Sequence, residues 1–274
     1  MDDRAIGIFD SGVGGLSILS QIRALLPNED LIFLADQAHV PYGPRALHEV
    51  RTFAHSITDF LLELHAKLIV VACNAASAAA LNDLRSTFPS IPFVGMEPAV
   101  KPAAASTQSQ VVGVLATPAT FQGKLFASVV ERFANNVTVL EKTLPGLVEQ
   151  IEQGNLDGVK TREILEDGIL PLLEHGADTL VLACTHYPFI IPLLSELAGP
   201  DVQVIDPAPA IARQTGRIIN QHDISASHEK LGRIDYYTTG DPIRFEELSK
   251  SLIGEPGMVR QVYWRRKKLF LPDC

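Results

Sequence analysis

Residues 68–80 read Leu-Ile-Val-Val-Ala-Cys-Asn-Ala-Ala-Ser-Ala-Ala-Ala. The apolar run Leu68 to Ala72 predicts a strand buried on both faces, as in a parallel sheet. The run stops at Cys73-Asn74, and small residues then open a helix. A thiol and an amide are thereby placed at the carboxyl end of a strand, facing a helix N-terminus. In an open α/β sheet that is where ligands bind. Backbone N–H groups there suit an anion, and the helix field lowers a thiol pKa. The same pattern recurs at Thr179-Leu-Val-Leu-Ala-Cys-Thr-His-Tyr-Pro-Phe189, an apolar strand ending in Ala-Cys, a polar residue and a helix start. Cys73 and Cys184 at equivalent points of two similar halves are the main clue to function.

Working outward, Ala5 to Phe9 reads as a buried strand, followed by the Gly-rich loop Asp10-Ser-Gly-Val-Gly-Gly15 and a helix from Leu16 to Leu26. The glycines match neither G-x-G-x-x-G nor a phosphate loop, so a nucleotide site has weak support. Asp10 and Ser11 have two readings. One is turn and helix-cap chemistry; the other has Asp10 reaching into the strand-end crevice and Ser11 donating to a ligand. Leu31 to Ala35 is a second strand. The loop behind it, Asp36 to Pro44, carries Pro41-Tyr42-Gly43, a rigid turn bearing an aromatic, and has the length of a binding loop. His39 and Asp36 make a possible pair in that loop, although a loop histidine is more often a surface residue. A helix from Ala46 to His65 leads to the Cys73 strand.

After the strand Ile91 to Gly95, a small-residue stretch from Pro102 to Gln110 marks a composition shift, and the pattern then restarts. Val111 to Leu115 mirrors Ala5 to Phe9, Ala116 to Thr120 takes the place of the Asp10 loop, and Asn136 to Leu140 mirrors Leu31 to Ala35. A short helix from Leu144 to Gly154 carries Glu149 and Glu152; a longer one, Val159 to His175, leads to the Cys184 strand. Val202 to Ile205, a helix to Gln221, the strand Ile234 to Asp241, a helix and a strand from Met258 to Tyr263 complete the chain. The predicted class is α/β, with two similar, pseudo-symmetric domains from an internal duplication. Each is a mostly parallel sheet flanked by helices, with the active site in the cleft between them. Residues 1–98 and 208–274 form the first domain, and residues 99–207 the second.

The 274 residues allow one large or two modest domains. A net charge of −9 gives no electrostatic support to a nucleic-acid or anionic-membrane role. The one basic cluster, Arg265 to Lys268, reads as a solvated face. The three cysteines, 73, 184 and 274, suit a reducing cytosol rather than a disulfide scaffold; Cys274 is expected to be inert. Neither a signal peptide nor a transmembrane span is expected. Because Ile6 already belongs to the first strand, regulation through an N-terminal extension is not expected either.

Zinc would have only Cys184 and His186, two apart, with Cys73 far away and no Cys-x-x-Cys or further His pair, and a redox dithiol lacks its Cys-x-x-Cys. Hydrolase chemistry with one nucleophile would leave the second thiol idle. Two-base proton transfer uses both. A racemase removes a proton from one face of a carbon and returns one to the other, so it needs acid/base groups on opposite sides of the substrate. Two duplicated halves facing each other supply that geometry, and a free thiol, with a pKa of about 8.5, is a closer match to neutral pH than a lysine. His186 is either a satisfied core histidine or an imidazole that stabilises or deprotonates Cys184. Asp10 and Glu152 are candidate general-base helpers or partners for a substrate ammonium.

Together the segments Phe9-Asp-Ser-Gly-Val-Gly-Gly15, Pro41-Tyr-Gly43, Val71-Ala-Cys-Asn-Ala-Ala-Ser-Ala78, Cys184-Thr-His-Tyr-Pro188 and Thr238-Thr-Gly-Asp241 resemble the glutamate racemase family, in the aspartate/glutamate racemase superfamily. The resemblance spans about Ile6 to Asp241. It implies a cofactor-independent, homodimeric cytosolic enzyme that interconverts L- and D-glutamate and supplies D-glutamate for peptidoglycan. It makes Cys73 and Cys184 the two bases, with Asp10 assisting Cys73, and Glu152 and His186 assisting Cys184. Asp10, Ser11, Pro41, Tyr42, Gly43, Asn74, residue 75, Thr185 and His186 would hold the amino acid. The chain departs from the family at Ala75, usually threonine, and at Gln37, where the family usually has Asp-Thr rather than Asp36-Gln37. Ala75 implies weaker binding or altered selectivity and keeps a racemase of aspartate or a related acid as an alternative; a non-catalytic binding protein of the same fold is a second, which buried and unreactive thiols would favour.

Overall fold

The structure, a computed structural model, describes residues 1–227 and 229–272. The expectation for Cys274 therefore falls outside the described residues. In chain order the first elements are β1 (Ile6–Asp10), α1 (Leu16–Leu25), β2 (Leu31–Ala35), α2 (Leu47–Glu63), β3 (Leu68–Val71), α3 (Asn74–Thr87), β4 (Phe93–Gly95) and α4 (Val100–Ser106). There follow β5 (Val111–Ala116), α5 (Pro118–Gln122), α6 (Lys124–Phe133), β6 (Thr138–Thr143), α7 (Leu147–Glu152), α8 (Val159–Glu174), β7 (Thr179–Ala183), α9 (Ile191–Ala198) and β8 (Gln203–Ile205). The chain closes with α10 (Ala208–Gln221), β9 (Ile234–Thr238), α11 (Pro242–Ile253), β10 (Met258–Gln261), β11 (Tyr263–Arg265) and β12 (Lys268–Phe270). No helix among the described residues is long and apolar enough to cross a membrane.

The strands form two parallel sheets. The first has the order β10-β9-β2-β1-β3-β4, the second β6-β5-β7-β8. Four strands of the first repeat in the second: β2-β1-β3-β4 has the same order as β6-β5-β7-β8. This is the duplication in structural form. In each sheet the chain runs to one side from its first strand and then to the other, so the connections leave opposite faces beside β1 and β3, and beside β5 and β7. That divergence opens a crevice at the carboxyl ends of the strands. Asp10 and Cys73 stand at one crevice, Thr117 and Cys184 at the other.

Alternation in the strands divides the core. Ile6, Ile8, Leu68 and Val70 face the layer of α1, which packs on α10 and α11, while Phe9, Ile69 and Val71 face α2 and α3. Because helices cover both faces, β1, β3 and β7 are fully buried. The apolar cluster of Val13 and Leu16 continues without a break into Leu147, Ile151 and Leu182 of the second domain.

The structure corrects several expectations. The composition shift from Pro102 to Gln110 contains secondary structure: α4 occupies its first part and packs on α6, because its alanines favour helix and Pro102 falls in the first turn. Ala116 to Thr120 is not a copy of the Asp10 loop; Pro118 at the first helical position opens α5. Helix α6, with Phe126 and Val129 on its buried side, was not anticipated. Cys184 is followed by a 3₁₀ turn, Tyr187–Ile190, before α9, whereas Cys73 caps α3 directly. The chain also ends in a hairpin, β11 antiparallel to β12. The basic cluster forms its exposed turn, with Arg266 and Lys267 at positive φ, as a two-residue hairpin connection requires.

One buried ion pair ties the foot of the first sheet. Lys67 Nζ lies 2.5 Å from Glu29 Oε2, with side chains 0% and 6% exposed. The ammonium also donates to the Asp2 carbonyl, and Glu29 Oε1 accepts from the Ala226 N–H. Lys67→Met strands that carboxylate in the interior. It is expected to cost about 3–5 kcal/mol, measured by equilibrium denaturation.

Candidate active site

Cys73 is the N-cap of α3. Its extended backbone (φ −142°) ends β3, and its Sγ accepts the Ala76 N–H at 3.5 Å. Ser77, one turn on, donates to the Val71 carbonyl and accepts the Met96 N–H, which pins the start of the helix to the strand ends. Asp10, wholly buried at the end of β1, accepts from the Gly15 N–H at 2.9 Å and is hydrogen-bonded to the Cys73 thiol. The expected lowering of this thiol by the helix terminus does not prevail. Burial pushes the Cys73 thiol well above its ordinary value, the Asp10 charge pushes it further, and the Ala76 N–H offsets only part of this. Burial likewise raises Asp10, against the pull of the His186 charge and the Gly15 N–H.

The other side is built differently. Cys184 follows β7, and His186 Nδ1 lies 3.9 Å from its Sγ. His186 Nε2 is 2.6 Å from Glu152 Oε1, which also accepts the Val13 N–H at 2.7 Å; Glu152 Oε2 accepts from Gln37 Nε2 at 3.0 Å. Burial alone would raise Glu152, but the hydrogen bonds from His186, Gln37 and Val13 and the His186 charge hold it below its usual value. Burial alone would lower His186, but its contacts with Cys184 and Glu152 push it well above its usual value. This side therefore carries an imidazolium and a carboxylate.

The two sides face one tight pocket, lined by Ser11, Pro41, Tyr42, Gly43, Cys73, Asn74 and Ala75 from the first domain and by Thr117, Val148, Cys184, Thr185 and His186 from the second. Buried Asn74 has no hydrogen-bond partner for either amide atom, the state of a group waiting for a polar ligand. Asp10 and Glu152 do not line the pocket; they stand behind Cys73 and His186.

The seam between the domains is unusually close. A Cβ on Gly12 would fall 1.9 Å from Glu152 Oε1, and one on Gly14 would fall 2.4 Å from His186 Nδ1. The loop's glycines thus serve backbone approach to the second domain, not a phosphate. Ala119 N–H donates to the Gly43 carbonyl, and Ser17 Oγ to the Thr185 carbonyl, across the same seam.

Asp36 belongs to a different constellation. It is buried and accepts from Tyr42 OH at 2.6 Å, Trp264 Nε1 at 2.7 Å and Thr239 Oγ1 at 2.9 Å, with His39 Nδ1 at 2.9 Å. The Asp36–His39 pair thus braces the Pro-Tyr-Gly loop from behind and does not face the thiols. Thr117, Val148 and Gln37 were missed. Thr117 had a signal, since it ends the strand that mirrors β1; Val148 and Gln37 had none.

The sequence matches the Asp/Glu/Hydantoin racemase family over residues 14–215. A glutamate racemase from Roseiflexus sp. (strain RS-1) is 52% identical over 246 residues, 89% of this chain and 90% of that protein. Among solved structures, a glutamate racemase isoform from Bacillus anthracis aligns with a TM-score of 0.88 at 30% identity, covering 98% of this chain and 100% of the other. The Francisella tularensis glutamate racemase, in complex with D-glutamate, aligns with a TM-score of 0.83 at 28% identity, covering 97% and 98%.

Two outcomes test this geometry. Gly14→Ala forces a methyl against His186 and is expected to cost about 1–3 kcal/mol and to speed alkylation of both buried thiols. Glu152→Gln removes the partner of His186. The raised His186 contributes stability below its unfolded value of 6.5, lost as pH rises through the folded one. The depressed Glu152 contributes above its unfolded value of 4.5, lost as pH falls. The advantage of wild type in denaturation is therefore expected to be greatest between pH 4.5 and 6.5 and to shrink on both sides.

Proposed function

The chain belongs to the Asp/Glu/Hydantoin racemase family, in its glutamate racemase branch, and from that premise we propose that Cys73 and Cys184 are the two bases of a cofactor-independent interconversion of L- and D-glutamate. The observation that carries this reading is that two thiols at the same topological position of two repeated sheets face one small pocket. One thiolate takes the α-proton from one face of the carbon. The electron pair left on the α-carbon is held until the opposite thiol delivers its own proton to the other face. The thiolate and the thiol have then exchanged places, and atoms and charge balance.

The two sides begin unequal. Cys73, buried beside Asp10, is pushed toward keeping its proton. On the other side the His186 imidazolium faces the Cys184 sulfur and Glu152 faces the imidazolium, an arrangement suited to stabilising negative charge there. When Cys73 acts as base, Asp10 is the group bonded to its thiol and positioned to receive its proton. Ser11, Asn74, Thr185 and the Pro41-Tyr42-Gly43 turn hold the ammonium and the two carboxylates, Asn74 with the amide that lacks a protein partner. Ala75 offers its backbone N–H but no hydroxyl.

The product D-glutamate would serve peptidoglycan synthesis, and we place the enzyme in the cytoplasm as a homodimer, with residues 1–98 and 208–274 as one domain and 99–207 as the other. Growth of a D-glutamate auxotroph on a plasmid carrying this chain tests the cellular role.

Circular dichroism of L-glutamate and L-aspartate, each incubated with pure protein, tests the chemistry. The glutamate signal is expected to decay to zero while aspartate stays unchanged; loss of the aspartate signal alone would move the specificity. Cys73→Ala and Cys184→Ala are each expected to lower racemisation by about 10²–10⁴-fold or more, and near-full activity in either sinks the two-thiol mechanism. Ala75→Thr restores the usual hydroxyl and is expected to lower KM for glutamate about two- to tenfold.

A further inference from the structure

Gln37 does not line the thiol pocket, and it stands where the family it resembles usually has threonine. Yet its side chain bridges the two domains. Nε2 donates to Glu152 Oε2 at 3.0 Å, and Oε1 accepts from Thr238 Oγ1 at 2.8 Å. Thr238 Oγ1 in turn accepts the Gly240 N–H at 2.9 Å. These partners leave the carboxamide one orientation: flipped, it would point its oxygen at a carboxylate. Thr238 lies on β9, at the end of the first sheet, so the bridge runs from that sheet to the carboxylate behind His186. A threonine at 37 has no second polar atom and is too short to bond Thr238 and Glu152 at once.

We propose that Gln37 is a positioning residue of this racemase, clamped by Thr238 so that its amide fixes the Glu152 carboxylate and, through it, holds the His186 imidazolium against Cys184. The inference rests on the reading that Glu152 and His186 serve Cys184. Glu152 has two carboxylate oxygens. Val13 and His186 occupy Oε1, and Gln37 holds Oε2. Without Gln37 the Oε2 side of the carboxylate is open to the adjoining hollow, lined by Gln37, Glu152 and Arg244, and exchanges its protein partner for water. The charged groups facing Glu152 are few. His186 approaches from the β7 end. Arg244 and Asp241 approach from α11, with Arg244 Nη2 at 3.5 Å from the Glu152 carbonyl rather than its carboxylate. Glu149 lies on Glu152's own helix. Arg244 thus leaves the carboxylate to Gln37.

The test is the pH profile of kcat/KM for glutamate racemisation in wild type, Gln37→Met, Gln37→Thr and Gln37→Lys. Removing a donor from an ionised carboxylate favours its protonated form. Met and Thr at 37 are therefore expected to move the acid limb up by about 0.5–1 pH unit, a loss of about three- to tenfold on that limb that recovers at higher pH. Lysine places a cation near Oε2 and moves the limb down. Because the enantiomers have equal free energies, kcat/KM stays equal in the two directions in every variant. The loss of alignment is read as a fall in kcat in the direction where Cys184 is the base. Limbs that coincide with wild type, or that shift the same way in the Met and Lys variants, overturn the role. Thr, the usual family residue, gives the Met result should either of the others fail to fold. Wild type that leaves glutamate unracemised overturns instead the reading on which the inference rests.

Discussion

Glu152 receives a backbone N–H from Val13, an amide from Gln37 and an imidazolium from His186, and only the last belongs to its own domain. This carboxylate ties the two domains together beside the thiol pocket. It is held because the opposite loop has no side chains in the way: Gly12 and Gly14 let the backbone of the first domain approach the Glu152–His186 pair to a distance that a β-carbon would forbid. The closed pocket depends on this approach. So does the placement of Cys184, whose sulfur is faced by the same imidazolium.

The duplication delivers symmetry of position but not of charge. Both cysteines follow the third strand of a β2-β1-β3-β4 pattern or its repeat, so both arrive at a crevice. Their surroundings then diverge. Cys73 has an anion, Asp10, bonded to its thiol, and is pushed toward keeping its proton; Cys184 has a cation, and an anion one residue further back. A two-base reaction needs one group protonated and the other not. The two thiols stand in unequal surroundings. The helix N-terminus at Cys73 acts in the opposite sense to burial and to Asp10, and it loses because two full contributions oppose one N–H.

Much of the architecture was legible because it was written in long, unambiguous segments. The strand Leu31 to Ala35 falls where its apolar run predicts, and the helix from Leu16 stops one residue short of the expected end, at Leu25. Failures came where local signals were short or mixed. Ala116 to Thr120 looked like a loop by analogy with Asp10, yet Pro118 is a helix opener as readily as a turn residue. Helix α6, which joins β5 to β6 as α1 joins β1 to β2, and the final hairpin, which lies outside the repeat, were passed over.

Within the site, the residues that end strands were readable, because the end of a buried strand is fixed by the sequence that forms it. Cys73, Cys184, Asp10 and Thr117 are of this kind. The residues that act across the seam were not. Nothing in Gln37 and its neighbours indicates that its amide meets Glu152, more than a hundred residues away, and Val148 is an ordinary apolar residue until its helix is laid over the pocket. The sequence by itself determined the two repeated sheets and the pair of thiols, since strand burial and strand ends follow from local pattern. The tertiary structure alone decided what surrounds each thiol, which glycines are close-contact surfaces and which side chains meet across the seam. Those properties belong to distances between segments, and a chain has no such distances until it folds.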